Sequence, residues 1–303
     1  MALFSGKGSE TQSARSRIVG IGEILWDMLP DGPRLGGAPA NCAYYASQLG
    51  EEGVIVSQVG EDLEGKKILS CLQAANLTTD YLSFDSKHPT GQALVQVDKA
   101  GKPTFEILRE VAWDYLNLNR KTRHLAPKAK AVVFGSLAQR SPISKRAICE
   151  FLTLTRKECL RIFDVNLRAP YYRAEEVVDL LSKANVLKMN EEEMRIISHI
   201  FNKSEAELKD YLFDAFPLEV IVITRGPGGS EIFSRSEAVR TKAPIVKVAD
   251  TVGAGDAFTA AVAVGLLHQK SLVEIGYKAN QIAAFVCSQN GAWVALPPEI
   301  LTW

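Results

Sequence analysis

Short runs of β-branched and other apolar residues alternate with longer amphipathic stretches along most of the chain. The apolar runs predict strands at Ile18–Ile21, Val54–Val59, Ala131–Phe134, Arg161–Val165, Val186–Met189 and Val220–Thr224. Apolar positions at helical spacing predict helices over Ala40–Gly50, Leu63–Ala75, Ser144–Glu158, Glu175–Ser182 and Glu191–Ile200. Because strands that alternate with helices build parallel sheets, the pattern predicts an α/β fold with a doubly wound, mostly parallel sheet flanked by helices.

Two inserts interrupt this alternation, near residues 24–35 and 90–112. They contain the extended piece Ile24–Met28, the turn cluster Pro30–Pro33, and the strand-like runs Gln92–Asp98 and Thr104–Leu108, joined by Lys99–Pro103. The last three segments read as a β-hairpin. We expect the two inserts to form a small β-sheet lid on the α/β body. A surface hairpin without a functional role is the alternative.

Composition narrows the class of protein. The chain has 303 residues, and its 35 Lys and Arg balance 35 Asp and Glu, which argues against nucleic acid or a membrane surface as partner. Five scattered cysteines without CxxC spacing indicate reduced thiols, so we expect a cytoplasmic protein. Residues 1–17 contain no apolar export signal and are expected to be a disordered leader. The remainder, 18–303, is expected to fold as one domain.

The densest candidate chemistry lies in the segment Asp250–Phe258. Gly253, Ala254 and Gly255 precede an apolar helical run, and such small residues let backbone N–H groups approach an anion at a helix N-terminus. Asp256 falls in the first helical turn, where the helix dipole favours its ionised form. An ionised carboxylate beside an anion hole could accept a hydroxyl proton during phosphoryl transfer. A glycine loop with an N-capping aspartate is the structural alternative.

Polar residues and glycines also follow other predicted strands. A sugar could approach the backbone closely at Gly36 and Gly37, and the amide of Asn41 could bond its hydroxyls. Asp27 could accept hydrogen bonds from two hydroxyl groups. A tight turn and a helix cap would look the same. Arg168 follows another strand, at an edge where open α/β sheets place ligands, although a surface arginine is equally compatible.

Two further strand ends carry a similar ambiguity. The acidic run Lys188–Glu193 is typical of a solvated first helical turn. The glycines of Thr224–Gly229 suit a backbone that crosses a flat or anionic ligand, and they equally suit a plain turn.

Some of these segments resemble the signatures of a known family. Asp250–Ala263 is similar to the C-terminal signature of the ribokinase-like (PfkB) sugar kinases, and Gly36–Asn41 with Gly50 and Gly60 is similar to the N-terminal signature. The similarity extends over essentially Ile18–Pro297. The segments Gly22–Asp27 and Val111–Asp114 most resemble bacterial fructokinases.

The resemblance implies a ribokinase-like kinase domain over residues 18–303 and an ATP-dependent sugar kinase, most nearly a fructokinase. Asp256 would be the base, with the anion hole at Gly253, Ala254, Gly255 and Asp256 and assistance from Arg168. The implied sugar contacts are Asp27, Gly36, Gly37, Asn41, Arg168 and Asp256. The implied ATP contacts are Lys188, Asn190, Glu193, Thr224, Gly226, Gly229, Gly255 and Asn280.

The resemblance also implies metal ions and an assembly. Mg²⁺ would lie near Asn190 and Glu193, through water. K⁺ would be held by the Asp250 carboxylate and by main-chain carbonyls of Val252, Val286, Gln289 and Gly291. A homodimer through the lid is expected. Ribose, 2-keto-3-deoxygluconate or a nucleoside are alternative substrates. A non-catalytic sensor on the same fold is a further alternative, against which the presence of Asp256 argues.

Overall fold

The computed structural model describes residues 15–30, 32–97 and 103–303 of the chain. Its strands are β1 Arg17–Ile21, β2 Leu25–Leu29, β3 Gly32–Gly36, β4 Glu52–Gly60, β5 Leu82–Asp85, β6 Gly91–Val97, β7 Pro103–Ile107, β8 Ala131–Phe134, β9 Leu160–Asp164, β10 Val186–Asn190, β11 Val220–Thr224, β12 Ser230–Ser234 and β13 Ala238–Thr241. Its α-helices are α1 Ala38–Gln48, α2 Leu63–Ala74, α3 Arg120–Leu125, α4 Pro142–Leu154, α5 Ala174–Leu181, α6 Glu191–Phe201, α7 Glu205–Ala215, α8 Ala254–Leu267 and α9 Leu272–Cys287.

The large sheet has nine strands in the order β13-β12-β11-β10-β9-β8-β1-β4-β5. The pairs from β11 through β5 are parallel, whereas β12 and β13 add an antiparallel edge. Alternate residues of one strand enter different cores. Ile18 packs with helices α1, α8 and α9, while its neighbour Val19 packs with the core of α4 to α7. This confirms the predicted α/β fold with helices on both faces of a mostly parallel sheet.

The two inserts form a separate four-stranded sheet in the order β3-β2-β6-β7, which we call the small sheet. The expected turn cluster Pro30–Pro33 was partly wrong, because Gly32 and Pro33 already belong to an edge strand, β3, which the sequence analysis did not predict. Pro33 is compatible with that strand because a proline lacks only the N–H that an edge strand does not need on its outer side. Residues 98–102, which include the end of the predicted strand Gln92–Asp98 and most of the predicted connection Lys99–Pro103, lie outside the described residues, as do Asp31 and residues 1–14 of the predicted leader.

A buried ion pair connects the small sheet to the large one. The Arg140 guanidinium donates to both Asp114 carboxylate oxygens, at 2.9 and 2.8 Å, and also to the carbonyl of Leu108, the residue that follows β7. The guanidinium lies over the Trp113 ring, 4.1 Å from its centroid. Breaking such a buried pair leaves an uncompensated charge, so it fixes the base of the small sheet firmly.

The ends of the helices differ from the predicted ends mainly where a capping interaction determines them. Helix α4 ends at Leu154 rather than Glu158, because Thr155 adopts an extended backbone conformation and its hydroxyl caps the Leu152 carbonyl. Helix α7 begins with a Ser204–Glu207 capping box that the sequence prediction missed. All five cysteines are free thiols. Within the described part of the chain, no helix is long and apolar enough to cross a membrane.

Candidate active site

A cavity of about 550 Å³ lies between the carboxyl ends of the central strands and the small sheet. Leu25, Ala93 and Ile107 of the small sheet form one wall. The predicted site residues that line it are Asp27, Gly37, Asn41, Arg168, Lys188, Asn190, Glu193, Thr224, Val252, Gly253, Gly255 and Asp256. The fold therefore brings residues from many separate segments to one edge of the sheet, as open α/β sheets do with their ligand sites.

Helix α8 begins directly at this cavity. Gly253 is its N-cap and adopts a left-handed conformation with φ of 79°. A Cβ atom at this position would lie 2.8 Å from the Ala292 backbone, so both the conformation and the space require glycine. The first N–H groups of a helix have no intrahelical acceptor, and Gly253, Gly255 and Asp256 at the start of α8 line the cavity. This arrangement suits an anion.

Asp256 lies in the first turn of α8 and is held by a short relay of side chains. The Asn41 amide nitrogen donates to Asp256 Oδ2 at 2.7 Å, and Trp293 Nε1 donates to the Asn41 amide oxygen at 2.8 Å. Trp293 thereby sets the orientation of the Asn41 amide. The sequence analysis assigned Asn41 to the sugar and did not single out Trp293, because a tryptophan 252 residues away gives no spacing signal.

Burial, followed by the negative charge of Asp164, raises the pKa of Asp256 to about 6. The Asn41 hydrogen bond and the charges of Lys188 and Arg168 oppose that rise. A carboxylate with this pKa is ionised at neutral pH and is a better proton acceptor than an ordinary aspartate, as a general base requires.

A buried cation lies behind the start of α8. Lys188 Nζ contacts Asp164 Oδ1 at 2.9 Å, while Thr259 donates to the other Asp164 oxygen at 2.7 Å. Burial lowers the pKa of Lys188, but the carboxylates of Asp164, Glu193 and Asp256 outweigh it and raise that pKa overall. A Cβ on Gly255 would lie 3.3 Å from the ammonium group. Lys188 therefore carries a positive charge next to the anion hole.

Two further carboxyl groups line the cavity. Burial raises the pKa of Asp27 to about 6, opposed by the charge of Arg168. Gly36, opposite Leu25 in the small sheet, leaves room for this side chain, because a Cβ there would lie 2.4 Å from Asp27 Oδ2. The second carboxyl group is that of Glu23, which the sequence analysis did not assign to the site. Trp26, Trp113 and Asp114 do not line the cavity.

A second cavity of about 360 Å³ adjoins the first, and both are lined by Thr224, Thr251 and Gly255. Its walls are mostly apolar and include Ile245 and Phe258. Gly226 and Gly229 have positive φ values of 52° and 90°. Asn280, expected to contact adenine, lines this cavity but is buried, and its amide nitrogen donates to Ser230, Thr241 and the Gly276 carbonyl.

Asn190 and Glu193 form the capping box of helix α6. Asn190 Oδ1 accepts from the Glu193 N–H and Glu193 Oε2 accepts from the Asn190 N–H, each at 2.8 Å. The other Glu193 oxygen accepts from the Leu167 N–H. The acidic residues Glu191–Glu193 thus form a first helical turn, and Lys188, Asn190 and Glu193 of the run also line the cavity. The part of the chain described by the structure contains no cluster of three or more metal-ligating side chains. These residues fit a Mg²⁺ ion that arrives with a nucleotide and is contacted through water.

The proposed K⁺ ligands fit a free cation less well. Asp250 Oδ2 already contacts the Arg34 guanidinium at 3.2 Å and the Gly291 N–H at 3.0 Å, while Oδ1 accepts from the Val252 N–H. The Val286 carbonyl accepts from the Gln289 N–H. A positive group from β3 therefore lies on the carboxylate that the resemblance assigns to K⁺. K⁺ binding stays a prediction.

Comparisons with known proteins bear on the family and the fold of the chain. A family model described as pfkB family carbohydrate kinase matches residues 33–298. The sugar kinase PH1459 of Pyrococcus horikoshii is 32% identical over 295 residues, which cover 91% of each protein. Its crystal structure in complex with ATP has a TM-score of 0.76 and 30% identity, covering 91% of this chain and 94% of that one.

Two further relatives are named fructokinases. The protein named probable fructokinase-6, chloroplastic, of Arabidopsis thaliana is 28% identical over 322 residues, covering 98% of this chain and 83% of that protein. A fructokinase from Xylella fastidiosa with bound ATP has a TM-score of 0.85 at 22% identity, covering 94% of this chain and 97% of that one, and it shows the shared fold. The matched model spans most of the chain, and the chain therefore belongs to the pfkB family of carbohydrate kinases.

Proposed function

We propose that this kinase transfers the γ-phosphate of ATP to fructose, with Asp256 as the general base. The observation that carries the proposal is the position of Asp256 at the start of α8, beside the residues that the two cavities share. One cavity is lined by many charged and amide side chains and suits a sugar, while the other is mostly apolar and suits a nucleotide base. The reacting groups would meet at Gly255 and Asp256.

In this mechanism, a sugar hydroxyl oxygen forms a bond to the γ-phosphorus while the bond to the bridging oxygen of ADP breaks. The hydroxyl proton passes to the Asp256 carboxylate. The N–H groups at Gly253–Asp256, with Lys188 behind them, stabilise the charge on the transferring oxygens. Arg168, which lies at the cavity, adds a second positive charge. Mg²⁺ bound to the nucleotide would neutralise phosphate charge near Asn190 and Glu193.

The charges of the sugar cavity favour a neutral sugar over a sugar acid. Carboxyl groups of Glu23, Asp27 and Asp256 line it together with the guanidinium of Arg168. A substrate carboxylate, as in 2-keto-3-deoxygluconate, would be repelled by these three carboxyl groups. The preference for fructose over ribose is supported by the resemblance of Gly22–Asp27 to fructokinases and by the names of the relatives.

The surroundings of this site complete the proposal. The small sheet would act as a lid that excludes water during transfer. Because β3 and β7 are its edges, we propose that a second copy pairs with it in a homodimer. We also propose a cytoplasmic location, where ATP and reduced thiols are both available. Sedimentation velocity at micromolar concentration tests the dimer, and a monomer alone would contradict it.

The experiment that tests the function is an ADP-release assay with a panel of sugars. Wild-type protein should show the highest kcat/KM with fructose, against ribose, 2-keto-3-deoxygluconate and a nucleoside. A higher value for one of the others would overturn fructose and leave the kinase assignment intact. Absence of sugar-dependent ADP release with all four, in a protein that binds ATP, would favour a sensor on the same fold.

A further inference from the structure

Glu23 is a buried carboxyl group that the mechanism above does not use. It follows strand β1 and Gly22, is 2% exposed, and lines the sugar cavity near Asp27, Asn41 and Asp256. Its Oε2 atom has no hydrogen-bond partner within the described residues. Of the five buried side-chain atoms in that situation, it is the only carboxylate oxygen. A buried unpaired oxygen of this kind is unfavourable for folding and calls for a functional explanation.

The surrounding backbone holds Glu23 in place. A Cβ atom on Gly37 would lie 2.5 Å from the Glu23 carbonyl oxygen, so the backbone of Gly37 packs directly against it. Burial, and then the charge of Asp256, raise the pKa of Glu23 to about 7, while N–H groups of Glu23 and Ala38 and the charge of Arg168 oppose the rise. The carboxyl group is thus fixed beside the base, with one oxygen still able to accept.

We propose that Glu23 is a specificity-determining residue that accepts a hydrogen bond from a sugar hydroxyl close to the one that is phosphorylated. The inference rests on the proposed function and names how the same site selects its substrate. Glu23 and Asp256 line the same cavity, so the hydroxyl concerned lies near the reacting end of the sugar. A neutral sugar with a hydroxyl there satisfies Oε2, whereas an analogue without it leaves the oxygen unpaired. Sites built to bond a hydroxyl discriminate strongly in this way.

The test compares wild type, Glu23→Ala and Glu23→Gln on the best sugar and on its singly deoxygenated analogues. Glu23→Ala should lower kcat/KM on the complete sugar by about 10-fold to 100-fold, the range of a hydrogen bond to a charged group. For the analogue that lacks the partner hydroxyl, the loss should be less than about 3-fold. Glu23→Gln has the same shape and keeps one carbonyl acceptor, so its kcat/KM on the complete sugar should lie between the values of wild type and Glu23→Ala. Ser198→Ala is the control, because its buried hydroxyl also lacks a partner but does not line the cavity.

The test distinguishes a failure of the inference about Glu23 from a failure of the proposed function. Equal losses on every analogue, or no loss with Glu23→Gln and Glu23→Ala, would mean that Glu23 only supports the start of α1 and would overturn the inference alone. If wild-type protein phosphorylates none of the sugars, the proposed function is wrong, and the assignment of Glu23 fails with it.

Discussion

The hydrogen bond from Asn41 to Asp256 should set the pH at which the enzyme loses activity in acid. This bond measures 2.7 Å and stabilises the ionised carboxylate. Hydrogen bonds to charged groups contribute about 1.5–3 kcal/mol, and one pKa unit corresponds to about 1.4 kcal/mol. Asn41→Ala should therefore raise the pKa of Asp256 from about 6 to about 7 or somewhat above, since water entering the space replaces part of the bond.

The sign of the effect on activity follows from the role of the base. Asp256 must be ionised to accept the proton, so kcat/KM for the sugar falls as the pH drops below the pKa. At pH 8.5 the Asp256 carboxylate is ionised in both proteins. At pH 6 about half of the wild type and about a tenth of Asn41→Ala would be ionised, which predicts an additional loss of about five-fold in the variant.

The assay is kcat/KM for the best sugar at saturating ATP and Mg²⁺, measured from pH 5.5 to 8.5 for both proteins. Titration of ATP and of Glu23 and Asp27 is common to both and cancels in the ratio of variant to wild type. Asn185→Ala is a matched control, because Asn185 is a buried asparagine that bonds Arg161 and Cys159 away from the cavity. A ratio for Asn41→Ala that stays constant across the pH range would refute the reasoning.

Three further perturbations test other parts of the site. Gly36→Ala places a methyl group 2.4 Å from Asp27 Oδ2, so KM for the sugar should rise at least about ten-fold with an unchanged melting temperature, and an unchanged KM would contradict it. Arg34→Ala removes the cation from the Asp250 carboxylate, so the factor by which added KCl raises kcat should be at least about three times larger in the variant than in the wild type. Identical curves of kcat against KCl concentration for the two proteins would contradict this prediction. Lys188→Met leaves Asp164 buried without its cation, so urea unfolding should show a loss of about 3–5 kcal/mol, and a loss below about 1 kcal/mol would argue against a buried pair.

Much of the fold could be predicted because its signals are local. Strands buried on both faces, such as Val220–Thr224, read as continuous apolar runs, and α2 shows an amphipathic repeat that starts at its Asp62 cap. The strand β3 was missed because its sequence, Gly-Pro-Arg-Leu-Gly, is typical of a turn. Only its pairing with β2 across the small sheet makes it a strand.

The residues of the site likewise divide into those with a local sequence signal and those without one. Asp256 and the glycines before it could be identified from one contiguous segment and its resemblance to a family signature. Trp293, Arg34 and Glu23 could not, because their roles depend on partners brought close by the tertiary fold, such as Asn41 for Trp293 and Asp250 for Arg34. Asn190 and Glu193 show a third case, in which one pair serves both as helix cap and as cavity wall.

The central claim is that Asp256 accepts the hydroxyl proton, and Asp256→Asn tests it most directly. The amide keeps the shape and a hydrogen-bonding oxygen but cannot take the proton at neutral pH. The measurement is kcat for the best sugar, together with the Kd for ATP from calorimetry. The account predicts that kcat falls by about 10²–10⁴-fold while the Kd for ATP changes less than about three-fold. A variant that retains more than a tenth of the wild-type kcat, with sugar-dependent release of ADP, would contradict it.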